Sequence, residues 1–182
     1  LFTHTARCAN ELGAKIVFLS VKSGGMPVDD CYKKLRDIGD IAKANGVTVA
    51  LETHPDMVTN GDEAVRTMTA VNHPNVRLNY DTSNLYYYNE NIDGVAELKK
   101  FLPYTAAVHL KASIGKPKTW WFPGLHDEGD IINYPEIFKL CNAAGFYGPF
   151  TMEIEGIQGE TLTKDVAVAR VANSMNYLRS IG

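Results

Sequence analysis

VTVALETHP, residues 47–55, is the stretch on which the fold turns. Val47, Thr48, Val49, Ala50 and Leu51 are β-branched or apolar and favour a buried strand. Glu52 and His54 then lie where that strand emerges, and residues two apart share a strand face. An acid and an imidazole in that position are either a solvated strand end or part of a site. The surrounding sequence decides between the two.

The same unit recurs along the chain. KIVFLSV begins at Lys15, VTVALE at Val47, VRLNYD at Val76, TAAVHLK at Thr105 and PFTMEIE at Pro149, each an apolar strand candidate. Helical patterns lie between them. Val28, Cys31, Leu35, Ile38 and Ala42 mark one such face, with Gly46 in the position where a left-handed residue ends a helix. Gly13 and Gly145 close other helices in the same way, and Pro135 suits the first turn of the helix that Gly145 ends. A strand and a helix about every 30 residues is the rhythm of a (β/α)8 barrel. A doubly wound α/β sheet alternates similarly, so position of the polar residues must discriminate.

The interval before the last strand is longer and holds ASIGKPKTWWFPGLHDEGDIINY. Long loops in a compact domain are functional or disordered, and Trp120, Trp121 and Phe122 in a row argue against disorder. Such a cluster suits either a lid packed on a neighbouring subunit or a wall over a ligand.

Four consecutive strands deliver a polar residue to their C-terminal ends: Glu52, Asp81, His109 and Glu153. In a parallel barrel these ends converge on one rim, where active sites are built. Three carboxylates brought together repel unless a cation neutralises them. Two Glu, one Asp and one His form an oxygen-rich set with one nitrogen, suited to Mn²⁺, Mg²⁺, Co²⁺ or Zn²⁺ rather than to a thiolate metal. Taken singly each residue is a weak signal, since a lone His on an apolar strand is more often a core histidine with its hydrogen bonds satisfied. The ordered set is a strong one.

Together VALETHP, NYDTSN, VHLK and GPFTMEIEG resemble the xylose isomerase-like TIM-barrel superfamily, in particular its sugar phosphate isomerase/epimerase branch, over essentially the whole chain. The resemblance implies an α/β fold of the (β/α)8 type and one divalent metal ion held by Glu52, Asp81, His109 and Glu153. It further implies a ketose or related polyol bound through two oxygens. In the related ketose 3-epimerases the two metal-binding glutamates also move protons, which makes Glu52 and Glu153 the acid/base pair. Physical chemistry agrees with that role. Removing a proton next to a carbonyl needs a base and a stabilised enediolate, and a chelating cation stabilises the oxygens.

Substrate contacts follow from the same resemblance. His54 sits at a Glu-x-His strand end that faces the pocket; the alternative is a structural hydrogen bond to the neighbouring loop. Relatives often carry His where Asn84 stands, and Asn donates to a sugar hydroxyl without exchanging protons near neutrality. Lys111 shares the face of His109 and is either a ligand for a phosphate or hydroxyl oxygen or a solvated rim lysine. The common HLKD reads HLKA here, and the loop offers Lys116 and Lys118 in place of an arginine that holds substrate in several epimerases. Trp120, Trp121 and His126 in that loop complete the substrate-binding candidates, and Glu155, on the face of Glu153, is a rim acid.

Composition sets the remaining limits. A chain of 182 residues is long enough for one well-buried domain over residues 1–182. A net charge of −3 and the lack of a basic stripe argue against nucleic acid as partner. Cys8, Cys31 and Cys141 are odd in number and widely spaced, as expected of reduced packing cysteines. No apolar run is long enough for a membrane span, and the expected setting is the cytoplasm, with self-association into a homo-oligomer left open. A closed barrel needs eight strands and five are found, so about three N-terminal βα units are expected to be missing, the chain forming the C-terminal five-eighths of the barrel. The alternatives to a sugar isomerase or epimerase are a lyase or dehydratase acting on inososes or 3-keto-glycosides, an apurinic endonuclease-like DNA repair enzyme and a non-catalytic sugar-binding barrel. The repair reading is disfavoured by TWWFP where that branch has an Asp-x-His, and by the acidic balance.

Overall fold

The computed structural model describes residues 1–182. The elements follow in the order α1 (Phe2–Glu11), β1 (Ile16–Leu19), α2 (Val28–Ala44), β2 (Thr48–Glu52), α3 (Gly61–Val71), β3 (Val76–Asp81), α4 (Asn84–Tyr88) and α5 (Gly94–Phe101). A 3-10 turn (Leu102–Tyr104) leads into β4 (Thr105–Leu110), followed by β5 (Trp121–Phe122), α6 (Tyr134–Ala143), β6 (Phe150–Met152), β7 (Gly156–Ile157) and α7 (Lys164–Ile181). The five expected strands are β1, β2, β3, β4 and β6, and they form one sheet in that order. The chain divides into two compact units: Leu1–Tyr80 with Lys100–Ala107, and Asp81–Lys99 with Val108–Gly182.

In the first unit β1 pairs with β2 and β2 with β3, all parallel, with Leu19 opposite Leu51 and Glu52 opposite Asn79. Val49, Ala50 and Leu51 are completely buried, as a continuous apolar run in a covered parallel strand requires. Full burial of a valine or leucine side chain such as Val49 or Leu51 contributes about 1.5–3 kcal/mol of transfer free energy. Helix α2 buries Cys31, Tyr32, Leu35, Gly39 and Ala42 from one stripe and has Asp29 and Asp30 in its first turn and Lys43 in its last, signs that suit the helix dipole. It stops at Asn45 because Gly46 takes φ +67°, a left-handed conformation that costs glycine little. Asn60 caps α3 by accepting the amide of Glu63. Strand β1 is less covered than β2: Phe18 is exposed.

In the second unit β4 pairs with β6 in parallel, placing His109 opposite Thr151. The core holds Leu85, Leu98, Val108, Leu110, Phe122, Leu125, Tyr134, Ile137 and Cys141. Pro135 lies in the first turn of α6, capped by Asn133, and Gly145 is left-handed after it. Strand β5 of the long loop pairs antiparallel with β7, which follows β6, so that Trp121 faces Ile157 and Phe122 faces Gly156. The cysteines are free, Cys31 and Cys141 buried. No helix is long and apolar enough to cross a membrane.

Candidate metal centre

Asp81 ends β3, and its position is set by the chain just beyond it. Its Oδ1 accepts the amides of Ser83 (2.8 Å) and Asn84 (2.7 Å), which starts α4 and fixes the carboxylate. Its Oδ2 lies 3.9 Å from Nδ1 of His109 on β4. The same imidazole nitrogen is 3.0 Å from Oε2 of Glu153, one residue past β6. Asp81 and His109 are buried, and the Glu153 side chain is 30% exposed, so this set opens to solvent through Glu153.

Lys111 is neither a solvated rim lysine nor a free hand for an anion. It is 4% exposed, with Nζ 3.3 Å from Glu153 Oε1 and in contact with Glu155 Oε2. The ammonium also lies 4.3 Å from the centroid of the Phe122 ring, within cation–π range. Burial pulls the Lys111 pKa down, but the charge of Asp81, the hydrogen bond to Glu155 and the charges of Glu153 and Glu155 outweigh it, and the net displacement is upward. The Lys111 backbone is fixed too, its amide donating to Thr82 Oγ1 and its carbonyl accepting from the same hydroxyl.

Glu52 is held from its own side of the sheet. Its Oε2 accepts the Ser20 hydroxyl at 2.6 Å and lies 3.0 Å from Nδ1 of His54. His54 therefore engages Glu52 itself. Glu52, Asp81, His109 and Glu153 each offer one ligand atom, and these atoms all lie within 4.8 Å of one another. The donors fit a divalent ion: three carboxylates and one imidazole, mostly buried, within reach of one centre. This buried group could hold a metal ion whose identity its donors leave open between Mn²⁺, Mg²⁺, Co²⁺ and Zn²⁺.

The other candidates take varied places. Asn84 is buried at the start of α4 and contributes its amide to Asp81. Trp120 is 41% exposed and meets Tyr87 and Phe122 edge-on, while Trp121 flanks Gly129. His126 is exposed, with a left-handed backbone (φ +66°), and its ring stacks on Tyr177 of α7 at 4.1 Å. Two contributors escaped the sequence reading. Ser20 stands just past β1, where a serine has the look of an ordinary turn residue. Phe122 was grouped with the loop aromatics, and nothing in the sequence singles it out as the ring under Lys111.

Residues 1–181 match the family described as xylose isomerase-like TIM barrel. Among solved structures, a xylose isomerase domain protein from Planctomyces limnophilus superposes with a TM-score of 0.76 at 19% identity, over 99% of this chain and 62% of that one. A D-psicose 3-epimerase from Clostridium cellulolyticum H10, solved with D-tagatose, gives 0.76 at 14% identity over 99% and 68%. A probable 3-DHS dehydratase from Bacillus anthracis gives 0.73 at 18% identity over 98% and 68%. This chain thus spans about two thirds of the length of these structures, 62% for the first. No curated protein sequence matches it. With residues 1–181 matched to the family, the chain belongs to the xylose isomerase-like TIM-barrel family.

Proposed function

We propose that the protein is a divalent-metal-dependent sugar isomerase or epimerase that moves a proton at the carbon next to a carbonyl of a ketose or related polyol. The observation that supports this most is the buried group of Glu52, Asp81, His109 and Glu153 with ligand atoms within 4.8 Å of one another. An ion held there supplies Lewis-acid charge to substrate oxygens. Glu52 and Glu153 arrive from different strands, β2 and the end of β6, and serve as the acid/base pair. Each carboxylate is oriented by a donor: Ser20 donates to Glu52 Oε2, and Lys111 donates to Glu153 Oε1. His54, against Glu52, orients that carboxylate and faces substrate hydroxyls. The ammonium of Lys111 lies between two carboxylates, which favours a neutral sugar over a phosphorylated one at that point.

The test is turnover of a panel of free ketoses, keto-glycosides and inososes in D₂O with added Mn²⁺. Deuterium is expected at the carbon next to the carbonyl, in product and in recovered substrate. Glu52→Gln and Glu153→Gln keep the size and remove the base, and each is expected to lower the rate by about 10²–10⁴-fold. Product free of solvent deuterium would point to a hydride shift and contradict the two-glutamate reading; loss of water from the product would move the activity to elimination, which begins with the same proton removal.

A further inference from the structure

One more polar side chain lies on the face of the sheet that carries the carboxylates. Tyr80 packs its ring edge-on against Phe101, with centroids 5.6 Å apart, so Asn79 and Asp81, its neighbours along β3, face the other side. The register pairs Asn79 with Glu52, and paired residues of parallel strands present their side chains to the same face. Asn79 is 0% exposed, and neither Nδ2 nor Oδ1 hydrogen-bonds to any protein group. Its backbone lies in the β2–β3 ladder, and its carbonyl accepts the amide of Thr53 at 3.2 Å and the Thr53 hydroxyl at 3.5 Å.

A buried carboxamide with both ends unsatisfied is costly, and leucine of similar size would pack there without that cost. Beside a carboxylate the cost is offset if the amide meets a small polar group. Substrate does not reach a side chain with no exposed surface, whereas a buried water needs only two to four polar partners, and an amide next to a carboxylate supplies them. We propose that Asn79 is a positioning residue whose carboxamide holds an ordered water against the Glu52 carboxylate and so fixes the direction in which Glu52 faces a bound ion. Ser20 and His54 both engage Oε2 of Glu52, and Asn79 adds a support from the adjacent strand. Outer partners of this kind orient metal-ligating groups. The inference rests on the metal reading given above.

Two measurements test it. A high-resolution crystal structure of the metal-free protein is expected to show an ordered water within hydrogen-bond distance of both the Asn79 amide and the Glu52 carboxylate; an Asn79 amide that meets no water overturns the proposal. The second is calorimetric titration of Mn²⁺ into wild type and N79L, with thermal melts of both. Leucine removes the unsatisfied amide, so Tm is expected to hold or rise while Mn²⁺ affinity falls about 10- to 100-fold. A folded N79L that binds Mn²⁺ as tightly as wild type overturns the proposal and leaves Asn79 a structural residue. If N79L does not fold, the crystal structure decides. A wild-type protein that takes up no Mn²⁺ defeats the metal reading instead, and the crystal structure still decides the role of Asn79.

Discussion

Lys111 shows how a single residue changes meaning between sequence and structure. In HLK it reads as either a ligand for a phosphate or hydroxyl oxygen or a solvated rim lysine; buried between Glu153 and Glu155, it compensates part of a carboxylate cluster. Its raised pKa makes a prediction about alkaline stability. A group whose folded pKa lies above its unfolded value contributes in full below the unfolded pKa and loses that contribution as pH rises through the folded one. Wild type is therefore expected to be more stable than Lys111→Met near pH 8, and the gap is expected to narrow above about pH 10, where an unfolded lysine begins to lose its proton. Urea unfolding of both proteins at pH 8 and pH 11 measures this, and a gap that stays constant or widens contradicts the assignment. At this scale the four ligand candidates were legible because each is a charged or imidazole side chain at the end of an apolar strand, where burial without a partner would be costly. Ser20 was not, because a serine after a strand looks like any other turn residue.

The long loop between β4 and α6 is the element that sequence periodicity describes least. Its order depends on Asp130. Oδ1 of that carboxylate accepts the amides of Ser113 and Ile132, and Oδ2 accepts the amide of His126 and the hydroxyl of Tyr134. Residues at both ends of the loop and in its middle are thus tied to one side chain. Burial, followed by the charge of Asp130 and the hydrogen bond to it, pushes the Tyr134 hydroxyl far above its ordinary pKa, so it stays a donor at every working pH. Asp130→Ala leaves four donors without their acceptor and is expected to cost about 2–4 kcal/mol, read as a lower urea midpoint with little change in m. A change under about 0.5 kcal/mol would show that water replaces the carboxylate and that the loop is held elsewhere. The β5–β7 ribbon in this region went unread for a related reason. Strands of two residues carry no alternation, and their pairing depends on a return of the chain that local pattern does not record. Helix α2, by contrast, was legible from its apolar stripe, and Gly46 marked its end.

At the scale of the whole chain, five strands with helices between them and polar residues at the strand ends indicate the family fold, which the match over residues 1–181 establishes. The sheet order follows the sequence order, as a winding of βα units requires, which is why strand positions alone were enough to anticipate it. The pairings that build the site were less visible, since Lys111 on Glu155 and His54 on Glu52 depend on side-chain directions as well as on strand ends. Binding of one divalent ion by Glu52, Asp81, His109 and Glu153 together is the step on which the proposed function depends. Its most direct measurement is anomalous scattering from crystals of wild type and Asp81→Ala equilibrated with MnCl₂. One strong manganese peak per chain in contact with all four side chains is expected, and a peak much weakened or lost in the variant. A wild-type site without a peak at saturating Mn²⁺, or an ion bound equally well without Asp81, would contradict it.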